Sequence, residues 1–417
     1  MLDINFIREH PEEVKKGVQK KNVDPQLVDD FLGVDEEWRR VSSELDEARS
    51  GQNELSEQLA NGKDEVLLKQ AKELKTKAAE LEKQKDSLDA QRMEILNRLP
   101  NIPFEDVTVG EHEGENTSVR EEGKKPEFDF EVKDYLTIAE ELGVIDVKKS
   151  AKVSGSRFGY LLGDLVLMEF ALVKFVFDTL IPEGFQPVVP PVMIKEKPYE
   201  GMGRLAADQK EERYYLEKDE LYLVGSAEHT VGPYHMGDVL EEKSLPRRYA
   251  AFSTCFRREA GSYGQDTKGI LRVHQFDKAE MFSFTHPEKS EEELQFLLSM
   301  QERMLQALEL PYEVVEICTG DMGWTDARQY DLNTWFPSQG KYRETHSCSN
   351  TTDFQSRGIN ARYRTKEGKP DFVHMLNATG FAIGRTLIAI IENYQTKDGK
   401  VGVPKVLQEY MGKKEMG

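Results

Sequence analysis

Apolar residues recur at three- and four-residue steps along two long polar stretches near the start of the chain. Phe31, Val34, Trp38, Val41, Leu45, Ala48, Gln52, Leu55 and Leu59 mark the first stretch. Leu67, Ala71, Leu74, Ala78, Leu81, Lys85, Leu88, Arg92, Ile95 and Leu99 mark the second. Such steps put one stripe on a helix, and several turns of them make a heptad seam. No proline lies between Leu27 and Leu99, where Asn61-Gly62-Lys63 is the strongest turn signal. The pattern predicts an antiparallel two-stranded coiled coil with arms of about 35 residues, on the order of 50 Å long.

Past residue 100 the period changes. Proline, glycine and acidic loops such as Glu111-His112-Glu113-Gly114-Glu115-Asn116 read as a linker with short strands over 101–150. Apolar positions at Leu165, Met168, Leu172, Phe175, Val176 and Leu180 predict a helix over 164–181. Segments 249–254 and 273–284 read as strands joined by a long loop containing Gly261, Gly264 and Gly269, and 386–394 reads as a helix. Strands alternating with helices from about Ser154 suit an antiparallel sheet flanked by helices. The expected class is α+β, in three regions: 1–100, 101–150 and 151–417.

The looped hairpin concentrates charge. It carries Cys255-Phe256-Arg257-Arg258-Glu259-Ala260-Gly261 and Arg272-Val273-His274-Gln275-Phe276-Asp277-Lys278-Ala279-Glu280. Strand alternation predicts Arg257 and Glu259 on one face, and Arg272, His274 and Phe276 on one face. A guanidinium fork matches phosphate or carboxylate oxygens and can neutralise charge developing on an α-phosphate. The Phe276 ring offers an adenine a stacking face, and Glu280 can hold an ammonium group. These residue types point to activation of a carboxylic acid by a nucleotide.

Charge also bears on partners. The chain holds 76 acidic and 56 basic residues, a net charge of −20, which repels RNA except at local basic patches. Leu27 to Ala60 has three basic against ten acidic residues, whereas Lys63 to Arg98 has nine against eight. Lys69, Lys72 and Lys75 on that second arm can follow a phosphate backbone. No apolar run approaches the roughly 18 residues of a membrane span, and Met1 to Pro11 lacks a signal-peptide core, so the expected place is the cytoplasm. Cys255, Cys318 and Cys348 suit reduced thiols. Cys318, His346 and Cys348 raise the thought of zinc, but no Cys-x-x-Cys or close fourth ligand accompanies them.

Three motifs occur in order: the predicted helix followed by Glu183-Gly184-Phe185-Gln186-Pro187-Val188-Val189-Pro190-Pro191-Val192; the Phe256-Arg257-x-Glu259 hairpin; and Leu376-Asn377-Ala378-Thr379-Gly380-Phe381-Ala382-Ile383-Gly384-Arg385 entering a helix. They resemble the signature motifs of class II aminoacyl-tRNA synthetases. With Thr319-Gly320-Asp321-Met322-Gly323 and Tyr342-Arg343-Glu344-Thr345-His346-Ser347-Cys348-Ser349-Asn350, the chain is similar, from Met1 to about Lys405, to seryl-tRNA synthetases of the bacterial type.

The resemblance implies a class II catalytic domain, a homodimer built on the first motif, and a two-step reaction with ATP, Mg2+, L-serine and tRNA(Ser), with tRNA(Sec) as a further substrate where one exists. It implies that Arg257 grips the ATP α-phosphate and the substrate carboxylate, as a catalytic residue with Arg385. ATP contacts fall on Arg258, Glu259, Arg272, Val273, Phe276, Glu344, Thr345, His346, Ser347 and Arg385. Mg2+ falls on Glu344 and Ser347; serine falls on Ser226, Ala227, Glu228, Arg257, Glu280 and Thr379. The coiled-coil arm is implied to embrace the tRNA.

This chain departs from the family pattern at three places. Ser226-Ala227-Glu228 stands for Thr-x-Glu, Asn377-Ala378-Thr379-Gly380 for Asn-Gly-Ser-Gly, and His346 for a small residue. Both altered hydroxyl positions keep a hydroxyl, so a substrate OH can still be bonded. Two other readings are a paralogue that acylates a carrier protein, which would lack the long arm, and a non-catalytic RNA-binding paralogue, which would lose Arg257, Glu280, Glu344 and Arg385.

Overall fold

A computed structural model describes residues 1–60, 64–205, 207–260 and 268–417. The Asn61-Gly62-Lys63 turn and the Gly261 and Gly264 part of the hairpin loop lie outside them. The chain divides into two compact units, Met1–Pro100 and Asn101–Gly417.

In the first unit, short helices Ile4–Glu9 and Pro11–Lys20 precede two long ones, α1 (Gln26–Ala60) and α2 (Glu65–Leu96). Asp64 caps α2 by accepting from the Val66 N–H at 2.8 Å. The helices pair along the expected seam: Val41, Leu45 and Ala48 bury against Ala78 and Leu81, flanked by Leu74 and Leu88. Polar residues at seam positions are accounted for by stacking. The Arg92 guanidinium lies 4.1 Å over the Trp38 ring and Lys85 Nζ lies 5.1 Å from it. Arg92 also bonds the fully buried Asp35 at 2.6 Å, which takes Arg8 at 2.7 Å. Burial would raise the Asp35 pKa, but these two arginines outweigh it and hold the carboxyl below its ordinary range.

The second unit is built on one sheet. Its strands are β1 (Thr117–Glu122), β2 (Phe185–Val188), β3 (Arg247–Phe256), β4 (Gln275–Thr285), β5 (Tyr312–Glu316), β6 (Arg328–Phe336), β7 (Lys341–Asn350) and β8 (His374–Ala382). They lie in the order β1-β5-β6-β7-β8-β4-β3-β2, antiparallel except for the β2–β3 pair. Residues 101–150, read from the sequence as a linker with short strands, supply the edge strand β1 and also a helix, Tyr135–Leu142, whose Tyr135, Ile138 and Ala139 join the core.

Three helices cover one face: α3 (Asp164–Leu180), α4 (Ser290–Ala307) and α5 (Ile383–Asn393). Leu165, Met168, Leu172, Leu294, Leu297, Met304, Leu387 and Ile391 pack there with Met281, Cys348 and Phe381 of the sheet. Alternation sends Phe282 and Phe284 to the opposite face, into a smaller cluster with Met375, Ala227 and Ile359. Residues 386–394 were expected as a helix; α5 begins three residues earlier, so Gly384 and Arg385 stand in its first turn.

Two bulges shape the sheet beside this second face. Between β6 and β7 the register runs Leu332↔His346 and then Asn333↔Glu344, leaving Thr345 as the extra residue. Between β4 and β8 it runs Ala279↔Phe381 and then Glu280↔Thr379, leaving Gly380. In a regular strand, residues three apart face opposite sides; a bulge re-aims them to one side. Glu344 and Ser347, and Thr379 and Ala382, are aligned in this way.

The β3–β4 hairpin is shorter than expected. Its regular pairing ends at Phe256↔Gln275, so Arg257, Glu259, Arg272 and His274 stand outside the strands, although the Arg257 N–H still reaches His274 O at 3.0 Å. Glu259 takes the left-handed conformation at φ 52°. The expected alternation therefore does not hold at His274, whose ring turns to Phe158 and Tyr214.

Candidate active site

A cavity of about 530 Å³ opens on the second face of the sheet. Of the residues predicted for the site, it gathers Ser226, Glu228, Arg257, Glu259, Arg272, Val273, Phe276, Glu344, Thr345, Ser347, Thr379 and Arg385. They come from five separate parts of the sequence, and the two bulges turn three of them, Glu344, Ser347 and Thr379, towards the cavity.

At one end are arginines and an aromatic wall. Arg257 donates Nε–H to Gly225 O at 3.2 Å, and its guanidinium lies 5.3 Å over the Phe276 ring. Among the described residues no acid ion-pairs with it, so its fork remains available for an anionic ligand. Arg272 is bonded to Glu259 at 2.5 Å. Arg385 reaches across to β7, with Nη1 at 3.1 Å from the Glu344 carboxylate and 2.8 Å from the Glu344 carbonyl. Burial works against the Glu344 charge, but Arg385 outweighs it and the pKa is lowered. Behind them Asp331, paired in register with Ser347, is pushed well above its ordinary range by burial and by the Glu344 charge.

The other end is small and polar. Glu228 takes three bonds on one oxygen, from Arg204 Nη2 at 2.7 Å, Arg204 Nε at 3.2 Å and Gln355 Nε2 at 2.9 Å. Burial would raise its pKa; the Arg204 charge and these bonds lower it, so Glu228 presents an ionised carboxylate to the cavity. Glu280 is different. Lys278 Nζ sits 2.5 Å from its Oε2, Ser226 Oγ donates to the same oxygen at 3.3 Å, and Oε1 is buried with no hydrogen-bond partner among the described residues. Its pKa is raised, because burial exceeds the pull of Lys278. The Thr379 and Ser347 hydroxyls stand 3.4 Å apart on the floor.

Four predicted residues are not gathered with the rest. Glu280 is only 1% exposed and lies beneath Lys278. Ala227 is buried in the cluster with Phe282. The Arg258 guanidinium lies 5.7 Å over Tyr214. His346 faces the helices because the bulge precedes it; its ring meets Phe381 and its Nδ1 meets Thr345 Oγ1 at 2.8 Å. Burial depresses its pKa to about 3, so it is neutral. Cys318 and Cys348 are buried free thiols directed at the carbonyls of His112 and Leu294.

On α2, Lys69, Lys72 and Lys75 are exposed, away from the seam. Among the described residues Lys69 makes a single, long ion pair, 4.0 Å from Glu73.

Comparison with known proteins gives this geometry its context. The family model for the seryl-tRNA synthetase N-terminal domain matches residues 1–103, and that for the tRNA synthetase class II core domain (G, H, P, S and T) matches 213–394. The chain is 40% identical to the serine–tRNA ligase of Fervidobacterium nodosum, over 99% of this chain and 98% of that one. The chain belongs to the seryl-tRNA synthetase family. A second family member, the serine–tRNA ligase of Thermotoga petrophila, is 43% identical over 99% of both chains. The crystal structure of the Pyrococcus horikoshii seryl-tRNA synthetase complexed with ATP has a TM-score of 0.93 at 39% identity, covering 100% of this chain and 99% of that one. The cytoplasmic serine–tRNA ligase of Naegleria fowleri in complex with AMP gives 0.87 at 35%, covering 100% and 98%.

Within this seryl-tRNA synthetase fold the cavity is also lined by Arg204, Arg213, Lys278 and Asn377, which sequence reading missed. Lys278 and Asn377 were within reach, each two residues from a predicted site residue on the same strand, where alternation returns to the same face. Arg204 and Arg213 carry no local signal; the chain brings them in from an outlying three-stranded sheet and its connections. Their positive charge, added to burial, pushes His229 well below its ordinary range, leaving a neutral ring bonded to Tyr199 OH at 2.9 Å.

Proposed function

We propose that this chain is a serine–tRNA ligase, activating L-serine with ATP to seryl-adenylate and transferring the seryl group to tRNA(Ser), and to tRNA(Sec) where one exists. The observation that carries the reading is the Arg257 fork, without an acidic partner among the described residues, between a small polar pocket (Ser226, Glu228, Thr379) and a wall of Phe276, Val273 and Arg272. A carboxylate and an α-phosphate can both reach that fork.

In the first step the serine carboxylate oxygen attacks the α-phosphorus in line and pyrophosphate leaves. In the second, a terminal tRNA hydroxyl attacks the acyl carbon and AMP leaves. Arg257 holds the two reacting groups together and takes up charge on the non-bridging oxygens. Phe276 stacks the adenine, Arg272 and Arg385 face the outer phosphates, and Glu228, which lines the cavity, holds the ammonium in place of Glu280, the residue expected from the sequence, which is buried and paired with Lys278. Glu344 and Ser347 offer the hard oxygens that suit Mg2+, on one face because of the Thr345 bulge; the ion, when bound, neutralises phosphate charge.

Exposed Leu167, Phe170, Ile181 and Val189, on and after α3, support a homodimer across that face. Lys69, Lys72 and Lys75 fit tRNA phosphates. No helix among the described residues is long and apolar enough to cross a membrane; the proposed place of the enzyme is the cytoplasm. The test is amino-acid-dependent pyrophosphate exchange with serine, threonine and alanine, followed by transfer to total bacterial tRNA. Exchange with serine alone and transfer to a long-variable-arm tRNA is expected. Exchange without transfer favours the carrier-ligase alternative, and no exchange overturns the reading.

A further inference from the structure

The ladder between β7 and β8 stops one step short of the cavity floor. Pairing runs Asn350↔Leu376, Ser349↔Asn377 and Cys348↔Ala378, and then ends. The next residues across the gap are Ser347, two residues past the bulge at Thr345, and Thr379, directly before the bulge at Gly380. Their carbonyls would be left without ladder donors. One side chain supplies both. Gln301, fully buried on α4 behind the sheet, donates from the same Nε2 to Ser347 O at 2.8 Å and to Thr379 O at 2.9 Å. On the cavity side of the same gap the two hydroxyls lie 3.4 Å apart.

We infer that Gln301 is a positioning residue, setting the separation of Ser347 and Thr379 and so coupling the serine pocket to the metal and phosphate side of the cavity. An amide NH2 is suited to this, because its two protons lie in one plane at a fixed angle and can bridge two strands. Without it the strands face each other with two buried, unbonded carbonyls, and relaxing them requires the gap to move. Sub-ångström shifts at such a floor change discrimination between serine and threonine, which differ by one methyl group and depend on tight walls. Gly380 gives little freedom to compensate, since a Cβ added there would stand 3.2 Å from Ala279 O.

The inference rests on the serine–tRNA ligase reading for its functional consequence but not for its geometry, and the test separates the two. Gln301→Met keeps the length and removes both donors; Gln301→Glu, when protonated, restores one. Hydrogen exchange on the unliganded protein needs no turnover. In Gln301→Met the amides of 347–349 and 379–381 are expected to exchange at least about tenfold faster, with those of β3 unchanged. In serine-dependent pyrophosphate exchange, KM for serine is expected to rise and the preference for serine over threonine to fall, each about tenfold, with a smaller change in kcat. Gln301→Glu should recover part of both losses as pH falls. Unchanged exchange at the two bulges, or a lower melting temperature with KM and preference intact, overturns the inference and leaves Gln301 a structural residue. Absence of serine-dependent exchange in the unmutated chain would count against the enzyme reading alone, and the amide exchange would still decide the geometry.

Discussion

The Lys278 ammonium rests 2.5 Å from the Glu280 carboxylate, two residues along on the same strand, and covers it from the cavity. A buried carboxylate of this kind is held charged by its partner, and breaking such a pair leaves an uncompensated buried charge. Burial already raises the Glu280 pKa, against Lys278 and Ser226. Lys278→Met is therefore expected to raise it further and to favour the neutral carboxyl. With Glu228 holding the ammonium, KM for serine is expected to stay within about twofold; a rise of about tenfold at neutral pH that recovers as pH is raised would give the ammonium to Glu280 instead. A KM that stays raised at every pH would mean that Lys278 itself contacts the substrate.

Arg257 tests the fork more directly. Among the described residues its side chain makes one hydrogen bond, to Gly225 O, and lies over the Phe276 ring, so removing it costs the fold little. Arg257→Ala is expected to lower kcat for pyrophosphate exchange by at least about 100-fold, the scale for one preorganised charged donor, with little change in melting temperature. Arg257→Lys keeps the charge and loses the planar fork, and most of the defect should remain. Near-normal exchange in the lysine variant would mean that Arg257 acts as a simple point charge.

On the arm the expectation splits the two steps. Reversing Lys69, Lys72 and Lys75 to Glu leaves exposed positions on α2 outside the buried seam. Pyrophosphate exchange should be unchanged. Transfer to tRNA should weaken, with the slope of log affinity against log salt shallower by roughly two to three units, the loss expected for three phosphate contacts. Transfer with its salt slope intact would place the tRNA elsewhere.

The arm could be predicted because a helix reports its buried face through a local period, so that even Arg92 was placed on the seam before its stacking on Trp38 and its bond to Asp35 were known. The hairpin motif was equally local. What the sequence could not disclose is register between distant strands. Glu344 and Ser347 are three apart and belong on opposite faces of a regular strand; only the pairing of β7 with β6 makes Thr345 the extra residue and brings the two together. The same holds for Thr379 and Ala382 about Gly380. The turn of His346 towards the helices follows from these long-range facts, and so does the approach of Arg204 to Glu228 across 24 residues.

Glu169 on α3 gives a prediction about stability that is independent of catalysis. It is buried, and burial together with the hydrogen bond and charge of Asp277 on β4 pushes its pKa up to about 8. An unfolded glutamate titrates near about 4.3. Between those values the folded chain keeps a proton that the unfolded chain releases, so this site favours folding most at acid pH and its contribution is lost as pH rises towards about 8. Glu169→Gln cannot ionise and keeps a donor for Asp277. The variant should therefore melt close to the unmutated protein near pH 5 and several degrees above it in mildly alkaline buffer. Melting curves of both proteins across that range decide the matter. A difference that does not change with pH would show that Glu169 and Asp277 do not share a proton, and a difference that grows towards acid would reverse the sign argued here.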